Sequence, residues 1–452
     1  MKRKIIVFYI IILGLLLLFN ASCSCEMTPD IYYLNFKTEQ DAAWQKIAKE
    51  YEKQKGVKVN VVTAASGNYE ATLTSELNKT NAPTLFQING EIGYNTWKEY
   101  ILDLSNEEIT QELISEDYAI IEDGKTYGIG YVYEGYGIIV NKKLLNKTPY
   151  KIDDIVSLEK LKEVTEYITK NKDSLNFSAF TSPGLDSSSS WRFTGHLLNI
   201  PLYYEFKERE VNSQPQTVDG RYLSSYKALW DLYINNSTVE PNKLSSKTST
   251  DSLSDFILEK ACFYQNGTWE YENIKTIGDE NIGFIPIYAG VDDENEGFSC
   301  GCENYFVVNK LVSEEKVRLT IEFLNWLVTD EFALNTLAND MGFVSPFKKA
   351  KETKNILSTI IQEKQKENVE WVFRFTPNVE SYRANLVSAL ALYSENQTSE
   401  NWLKVANAVT NKWEEEYNKQ NQKKGWKLWM VNLSVQTKLN LKNIFGYFFY
   451  LH

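Results

Sequence analysis

The chain has 452 residues, of which 43% are apolar and 24% charged, and its formal net charge is −12 at pH 7. This length suits two domains with sizeable cores, and the acidic balance argues against a nucleic-acid partner, because phosphate binding requires basic surfaces. The chain has two histidines and, beyond an N-terminal pair, three cysteines. These numbers argue against a metal centre and against a disulfide framework.

The N-terminus predicts a secretion signal. Basic residues 2–4 precede an uncharged apolar run, 5–19, and small residues then lead to Cys23. The run is short for a membrane-spanning helix, and this order is typical of a secretory signal. Because the cysteine follows small residues, the segment resembles a bacterial lipobox. We therefore expect residues 1–22 to be removed and Cys23 to carry a lipid.

The lipobox resemblance has one departure. Asn20 stands three residues before Cys23, where an aliphatic residue is usual, and Cys25 is a second candidate acceptor. Secretion without a lipid and an uncleaved anchor are the alternative interpretations.

Strands and helices alternate at the start of the mature chain. Aromatic and β-branched runs predict strands at 31–36, 57–62 and 83–88, and amphipathic patterns predict helices at 40–54 and 70–78. This order predicts a parallel sheet covered by helices.

Polar segments follow the three predicted strands, at 37–39, 65–68 and 89–91. Ligands of such sheets bind past the carboxyl ends of the strands. The candidate ligand-binding residues in these segments are Glu39, Ser66, Asn68 and Asn89. Ordinary solvation or helix capping is the alternative for each of them.

The remaining elements continue the mixed α/β pattern. Strand-like residues broken by glycine over 125–141 predict long, bent strands that cross between two lobes. Further strands are predicted at 261–264, 282–286 and 305–308, and helices at 152–171, 191–198, 222–235, 254–259, 314–337, 353–364, 379–393 and 400–417.

The few cysteines and histidines leave little room for nucleophilic catalysis. Cys300 and Cys302 flank one glycine and could close a strained local disulfide or remain two thiols. Any Ser-His-Asp or Cys-His chemistry would have to pass through His196. Its neighbours predict an ordinary helix, so we expect His196 to be structural or pocket-lining.

Four segments resemble the family 1 extracellular solute-binding proteins, the maltose-binding-protein-like receptors of ABC sugar importers. They are 124–144, 261–270, 303–327 and 341–347, and the resemblance extends from about residue 30 to about residue 417. It implies an α/β, two-lobe periplasmic-binding-protein-like fold of type II, with the ligand in a cleft that closes by a hinge motion. The implied N-terminal lobe comprises 28–132 and 285–343, and the implied C-terminal lobe 133–284 and 344–420.

The resemblance also implies a sugar site. A pyranose presents apolar C–H faces and a rim of hydroxyls, so its site needs aromatic rings and polar groups. In the family a tryptophan at the position of Trp269 commonly stacks on sugar. The other candidates, beside those at the strand ends, are Glu134, Asp186, Trp191, Asn266, Glu303, Asn304 and Trp371. For the tryptophans the alternative is a core role.

We therefore expect an extracellular, lipid-anchored receptor that captures a sugar, and more specifically a short oligosaccharide. It would hand this ligand to ABC permease subunits, as a monomer without cofactor, metal or nucleic acid, and would not be an enzyme. A sensory sugar-binding protein would have the same fold. An extracellular glycosidase would need two carboxylates across the cleft, for which Glu39, Glu134, Asp186 and Glu303 are available.

The C-terminal segment 421–452 departs from the family. It carries lysines and many aromatic residues after an acidic body. The two hypotheses are a membrane-surface segment and a reading-frame accident.

Overall fold

The computed structural model describes residues 29–65, 67–291, 296–364, 368–377 and 379–422. Several sequence predictions lie outside these ranges and stay predictions: the signal 1–22 with its acceptor Cys23 and the alternative Cys25, the candidate Ser66, and the C-terminal segment beyond residue 422.

The described residues form two six-stranded sheets. The first contains β1 (Ile31–Asn35), β2 (Val59–Thr63), β3 (Leu85–Asn89), β4 (Ala119–Glu122), β5 (Lys125–Gly130) and β11 (Asn304–Val308). Its strand order is β2-β1-β3-β11-β5-β4. As predicted, β1 pairs in parallel with both β2 and β3, whereas β11 is antiparallel to its two neighbours.

The second sheet contains β6 (Glu134–Asn141), β7 (Ser178–Phe180), β8 (Ala261–Gly267), β9 (Ile282–Ile285), β10 (Ser299–Gly301) and β12 (Val369–Glu370). Its order is β12-β10-β6-β8-β7, and β9 also pairs with β6. The long strand β6 is antiparallel to β8, β9 and β10, so it forms the spine of this sheet.

Helices cover both sheets. In chain order they are α1 (Asp41–Lys55), α2 (Tyr69–Leu77), α3 (Gly90–Trp97), α4 (Glu108–Gln111), α5 (Lys142–Leu145), α6 (Leu158–Lys170), α7 (Lys172–Leu175), α8 (Leu198–Glu208), α9 (Leu223–Asn235), α10 (Ser249–Ile257), α11 (Tyr271–Ile274), α12 (Glu314–Leu327), α13 (Glu331–Asn335), α14 (Ile356–Glu363), α15 (Val379–Glu395) and α16 (399–422). Of these helices, none is both long enough and apolar enough to cross a membrane.

Strand β1 shows why the first sheet is buried on both sides. Its residues Ile31 and Tyr33 pack into one apolar core, whereas Tyr32 and Leu34 pack into another on the opposite face. Because side chains alternate along a strand, a run that is apolar at every position requires cover on both faces.

Several helix predictions were wrong at their boundaries, and two of them show how polar caps were overlooked. The predicted helix 314–337 is divided: α12 ends at Leu327, and the side chain of Asp330 accepts hydrogen bonds from the backbone of α13. The predicted helix 152–171 begins instead at Leu158, where the hydroxyl of Ser157 caps α6. Both caps satisfy amide groups that a helix start leaves open.

The chain crosses between the two sheets at three places. The first crossing joins β5 to β6, over 131–133, and the second joins β10 to β11, over 302–303. The third follows Phe347, which packs in the core of the first lobe, and precedes α14, whose Leu357 packs in the core of the second. We therefore call the parts around the two sheets the first and second lobes.

The second and third crossings differ from the implied lobe boundaries near 285 and 343. Residues Ile285, Ile287 and Tyr288 pack in the core of the second lobe, and β10 pairs with β6. The second crossing thus comes after Gly301. Conversely, Val344 and Phe347 pair with Tyr133 and Leu113 of the first crossing and the first lobe. Strand pairing over long sequence distances, which the local pattern does not contain, sets these boundaries.

Candidate functional site

An ion pair joins the lobes at the base of the cleft between them. Lys37 follows β1 of the first lobe, and its Nζ lies 2.8 and 3.0 Å from the two carboxylate oxygens of Glu134, the first residue of β6. Both side chains are almost fully buried. Burial alone would lower the pKa of Lys37, but Glu134 and Glu39 outweigh it and raise that pKa above its ordinary value. The lysine therefore remains charged.

Two further carboxylates lie near this pair. Glu39 Oε1 is 3.8 Å from Lys37 Nζ, and Glu303 Oε2 is 3.8 Å from Nε2 of His196. Burial raises the pKa of both Glu39 and Glu303 above the usual value of a glutamate, although nearby cations oppose the shift. Glu134 directly follows the first crossing and Glu303 lies in the second, where the two lobes meet.

An aromatic wall covers the second-lobe side of the cleft. It consists of Tyr136, Trp191, His196, Trp269, Trp371 and Phe373. His196 lies at its centre: its ring stacks on Tyr136 with centroids 4.8 Å apart, and the other four rings lie 5.0 to 5.5 Å away.

Burial lowers the pKa of His196 well below its ordinary value, and Arg383 and Lys37 add to this shift. The imidazole is therefore neutral at pH 7. The expectation of a structural or pocket-lining histidine agrees with this position. The expectation of an ordinary helix was wrong, because Arg192–Leu197 forms a wider, π-helical turn. This turn accompanies the buried guanidinium of Arg192, which donates to the carbonyl oxygen of Gln265.

Two successive hydrogen bonds fix the position of the Trp269 indole. Its Nε1 donates to Oδ1 of Asn266 at 2.8 Å, and Nδ2 of Asn266 donates to Glu270 at 2.9 Å. Burial raises the pKa of Glu270 to about 7. The indole is only partly buried, whereas Asn266 is 3% exposed. Asn266 thus supports the tryptophan, and its amide is already used within the protein.

The loop before Trp191 is also held internally. Nε1 of Trp191 donates to the carbonyl oxygen of Ser188 at 2.9 Å, and the carboxylate of Asp186 accepts from the hydroxyl of Ser188. Trp191 remains half-buried, with its ring 5.7 Å from that of Trp269. In this arrangement Asp186 shapes the loop.

The other predicted residues occupy different environments. Trp371 is 3% exposed, and its Nε1 donates to the hydroxyl of Ser299. Asn68 is exposed at the start of α2. Asn89 is partly buried and lies opposite Asn304 in the register of β3 and β11. Among the described residues, Oδ1 of the buried Asn304 has no hydrogen-bond partner.

The lobes also meet at the rim of the cleft. A Cβ placed on Gly67, at the carboxyl end of β2, would lie 3.2 Å from the carbonyl oxygen of Ser187 in the second lobe. A Cβ on Gly90 would lie 3.6 Å from Cβ of Arg374. The segments predicted to follow the parallel strands therefore face the second lobe.

The sequence analysis omitted several residues that the fold brings into this cleft: Lys37, Tyr136 and Phe373. Lys37 had a usable signal, because it stands in the polar segment directly after the first strand. Tyr136 and Phe373 look like core residues in sequence, and they reach the wall only through strand pairing and the third crossing.

The cysteines near the second crossing are free thiols. A Cβ on Gly135 would lie 3.0 Å from Sγ of Cys300, and one on Gly130 would lie 2.5 Å from Sγ of Cys302. The two sulfur atoms thus pack on different strands, in different lobes. Burial raises the pKa of each thiol to about 12, so both are protonated at pH 7 and poor nucleophiles.

The model of a family described as bacterial extracellular solute-binding protein matches residues 46–363, well over half of the chain. This chain belongs to that family. The membership confirms the resemblance seen in the sequence, and members of the family are binding proteins.

Solved structures of similar fold cover most of this bacterial extracellular solute-binding protein. RafE in complex with raffinose has a TM-score of 0.69 at 16% identity, over 85% of this chain and 99% of the other. The GacH receptor of Streptomyces glaucescens, solved unliganded and with acarbose, has a TM-score of 0.66 at 17% identity, over 84% and 96%. Lmo0181 of Listeria monocytogenes, an ABC substrate-binding protein in complex with cycloalternan, has a TM-score of 0.63 at 16% identity, over 87% and 98%. These likenesses confirm the two-lobe fold.

Proposed function

We propose that this solute-binding protein captures a short, neutral oligosaccharide between its lobes and delivers it to the permease of an ABC importer. The observation that carries the proposal is the arrangement of the cleft. An aromatic wall on the second lobe faces carboxylates, an amide and a lysine from the first lobe and the crossings. Proteins of similar fold were solved with raffinose, acarbose and cycloalternan, which supports a sugar as the ligand.

Trp191 and Trp269 are the stacking residues in this proposal. Each indole is partly buried, and each has its Nε1 hydrogen-bonded to the protein. The ring orientations are therefore set before a ligand arrives, while ring surface remains for the C–H face of a pyranose. Preorganised aromatic groups lose little conformational entropy on binding, and tryptophan offers a large apolar contact area.

Glu39, Glu303 and Asn89 are the proposed partners of the sugar hydroxyls. Carboxylate oxygens accept from hydroxyl groups, and charge-assisted hydrogen bonds of this kind are stronger than neutral ones. Asn89 adds one acceptor and two donors. Because Glu134 already accepts two hydrogen bonds from Lys37, we assign it to the base of the cleft, where it positions Lys37.

Binding without turnover is part of this proposal, and membership of a family of binding proteins supports it. A glycosidase of the usual type needs one carboxyl group as acid and a second as nucleophile or base. Glu134 is paired with Lys37, and Asp186 accepts from Ser188, so both carboxylates are already engaged within the protein. Glu39 and Glu303 are assigned in this proposal to the hydroxyls of the bound sugar. We therefore propose a receptor, anchored through Cys23 at the outer face of the membrane, rather than an enzyme.

A thermal-shift screen tests this function. The purified protein is heated with glucose, maltose, maltotetraose, xylotetraose, chitotetraose, raffinose and stachyose, each in excess. A ligand that binds only the folded state raises the melting temperature. We expect a rise with one class of oligosaccharide, and no product by mass spectrometry after incubation. Unchanged melting temperatures with every sugar would reject the carbohydrate ligand, and a cleaved sugar would reject the receptor.

A further inference from the structure

A second cavity opens beside the aromatic wall. Its volume is about 560 Å³, which lies within the range of roughly 300–1,000 Å³ typical of small-ligand sites. We call it the distal pocket. The residues that matter for the argument are Glu70, Asn95, Glu303, Trp371, Arg374 and Arg383.

The distal pocket is continuous with the cleft already described. Glu303, Trp371 and Phe373 line the pocket, and each of them also lies beside His196 at the centre of the aromatic wall. From these shared residues the pocket extends between the start of α3 in the first lobe and α15 and α16 in the second. A linear ligand that lies on the aromatic wall can therefore continue past Glu303 into this space.

Arg383 of α15 has an unused guanidinium there. Its Nη2 would lie 3.3 Å from a Cβ added to Gly195, so the group packs against the turn that carries His196. Its charge partly opposes the rise in pKa that burial causes at Glu70 and Glu303, and it adds to the fall in pKa that burial causes at His196. Among the described residues, however, it has no hydrogen-bond or ion-pair partner. A partly buried guanidinium with five donors is expected to have acceptors nearby.

The charges around the pocket favour a neutral ligand. Both signs are present: Glu70, Glu303 and Glu380 face Arg374, Arg383 and Lys419. A phosphate or other polyanion would meet the glutamates, and a polycation would meet the arginines. A polyhydroxy compound can donate to carboxylates and accept from guanidinium groups at the same time.

We propose, building on the proposed sugar-binding function, that the distal pocket holds the outer units of an oligosaccharide, so that the ligand has at least three units. A hexose has a dozen non-hydrogen atoms; at no more than the ~30 Å³ that a water molecule takes up in the liquid, it fills at most about 360 Å³. The distal pocket therefore accommodates at least one unit beyond those that stack on Trp191 and Trp269, and Arg383 donates to the hydroxyls of that unit.

Sugar pairs that differ only in length test this proposal: maltose and maltotetraose, xylobiose and xylotetraose, and chitobiose and chitotetraose. Melibiose and stachyose, which share an α-1,6-linked galactosyl-glucose unit, form a fourth pair. Dissociation constants are measured by calorimetry for the unaltered protein and for Arg383→Ala. We expect the tetrasaccharide of the bound class to bind more tightly than its disaccharide. Arg383→Ala should weaken the tetrasaccharide by roughly tenfold or more, as for a lost hydrogen bond to a charged group, and should leave the disaccharide within about twofold.

Two further variants make the result decisive. Asn95→Trp places a bulky ring at an exposed position of the pocket wall, so it should reduce tetrasaccharide binding alone without disturbing the core. Arg318→Ala, which removes an exposed arginine paired with Glu315 and Glu322, should change neither constant.

The outcomes separate this inference from the function on which it rests. A disaccharide that binds as tightly as its tetrasaccharide, with no effect of Arg383→Ala or Asn95→Trp, would overturn the distal pocket and leave the sugar receptor intact. Failure of every sugar in all pairs to bind would overturn both. A length effect that disappears in both variants would support the inference.

Discussion

The two faces of the cleft differ in how they use buried polar groups. The first-lobe face places charged side chains at the strand ends, and its deepest cation, Lys37, is paired with Glu134. The second-lobe face is aromatic and surrounds a neutral imidazole. Within the described part of the chain, the hydrogen-bond partners of the buried Glu270 behind it are amide and hydroxyl groups. On the first-lobe face the buried charge of Lys37 is thus balanced by the opposite charge of Glu134. On the second-lobe face burial disfavours the charged forms of His196 and Glu270.

This difference suggests separate roles for the faces. An aromatic wall on one lobe can bind a sugar before the cleft closes, because its rings are already oriented. The ion pair at the crossings joins the lobes where hinge motion displaces atoms least. We therefore expect substitutions in the pair to affect stability, and substitutions in the wall to affect affinity.

The largest expected effect comes from breaking the buried pair. Lys37→Met leaves Glu134 buried without its cation, which typically costs about 3–5 kcal/mol in the free energy of unfolding. Urea denaturation measures the loss. The matched control is Lys46→Met, because Lys46 pairs with Asp340 on the surface and such pairs contribute only about 0–1 kcal/mol. Equal losses in the two variants would contradict the assigned role of Lys37.

Burial of Glu270 predicts that the stability of the protein depends on pH. Its pKa is about 7 in the folded protein and 4.5 for an ordinary glutamate, so the folded state holds the proton more tightly than the unfolded chain. The contribution of Glu270 to stability therefore falls as the pH rises from about 4.5 to about 7, by an amount of the order of 3 kcal/mol, and stays constant above that window.

Urea denaturation between pH 4.5 and pH 8 checks this prediction. Glu270→Gln should flatten the fall, because the amide does not titrate. Glu272→Gln changes a partly exposed glutamate of α11, two residues after Glu270, that pairs with Lys275, and should leave the slope as it is. An unaltered slope in Glu270→Gln would show that Glu270 titrates normally.

Trp269→Ala addresses the aromatic wall. Loss of the stacking ring should weaken binding of the sugar with the largest thermal shift by roughly 1–3 kcal/mol, measured by calorimetry. Trp402→Ala is the comparison, because Trp402 is another partly buried tryptophan but packs on Tyr226 and Tyr393. It should lower stability and leave affinity unchanged. Unchanged affinity in a folded Trp269→Ala protein would assign Trp269 to the core.

The smallest expected effect concerns the rim. Gly67 and Gly56 both have positive φ, 76° and 71°, so alanine at either position should cost about 1 kcal/mol of stability. Only Gly67 faces the other lobe, near Ser187, whereas nothing lies within 4 Å of a Cβ on Gly56. Gly67→Ala should therefore also weaken sugar binding, because the added methyl group hinders closure of the lobes, whereas Gly56→Ala should leave binding unchanged. The same affinity in both variants would show that closure tolerates the added methyl group.

The candidate site was partly visible in the sequence. Trp191, Trp269, Glu39, Glu303 and Trp371 were predicted ligand groups, and the structure brings them, or residues bonded to them, around one cleft. Their ligand roles stay predictions. The sequence could not distinguish side chains that are free to contact a ligand from side chains that hold other residues in place. Asn266 and Asp186 belong to the second kind, because they are already hydrogen-bonded within the protein. In the case of Asp186 and Asn266, the local sequence pattern did not reveal these bonds.

Local periodicity determined much of this protein. The alternation of apolar strands with amphipathic helices specified the parallel β1–β3 unit, because each run had to bury its own apolar face. The order of motifs identified the solute-binding family and the two-lobe fold. These features depend on residues close together in the chain.

Only the tertiary structure decided the features that depend on distant residues. Lys37 and Glu134 are 97 residues apart, and neither would be buried with its charge unless the fold brought the other within hydrogen-bond distance. The crossing after Gly301, the central position of His196 and the distal pocket between α3 and α16 arise in the same way. Each requires contacts between segments whose local sequences are compatible with several arrangements, and only packing of the whole chain selects one.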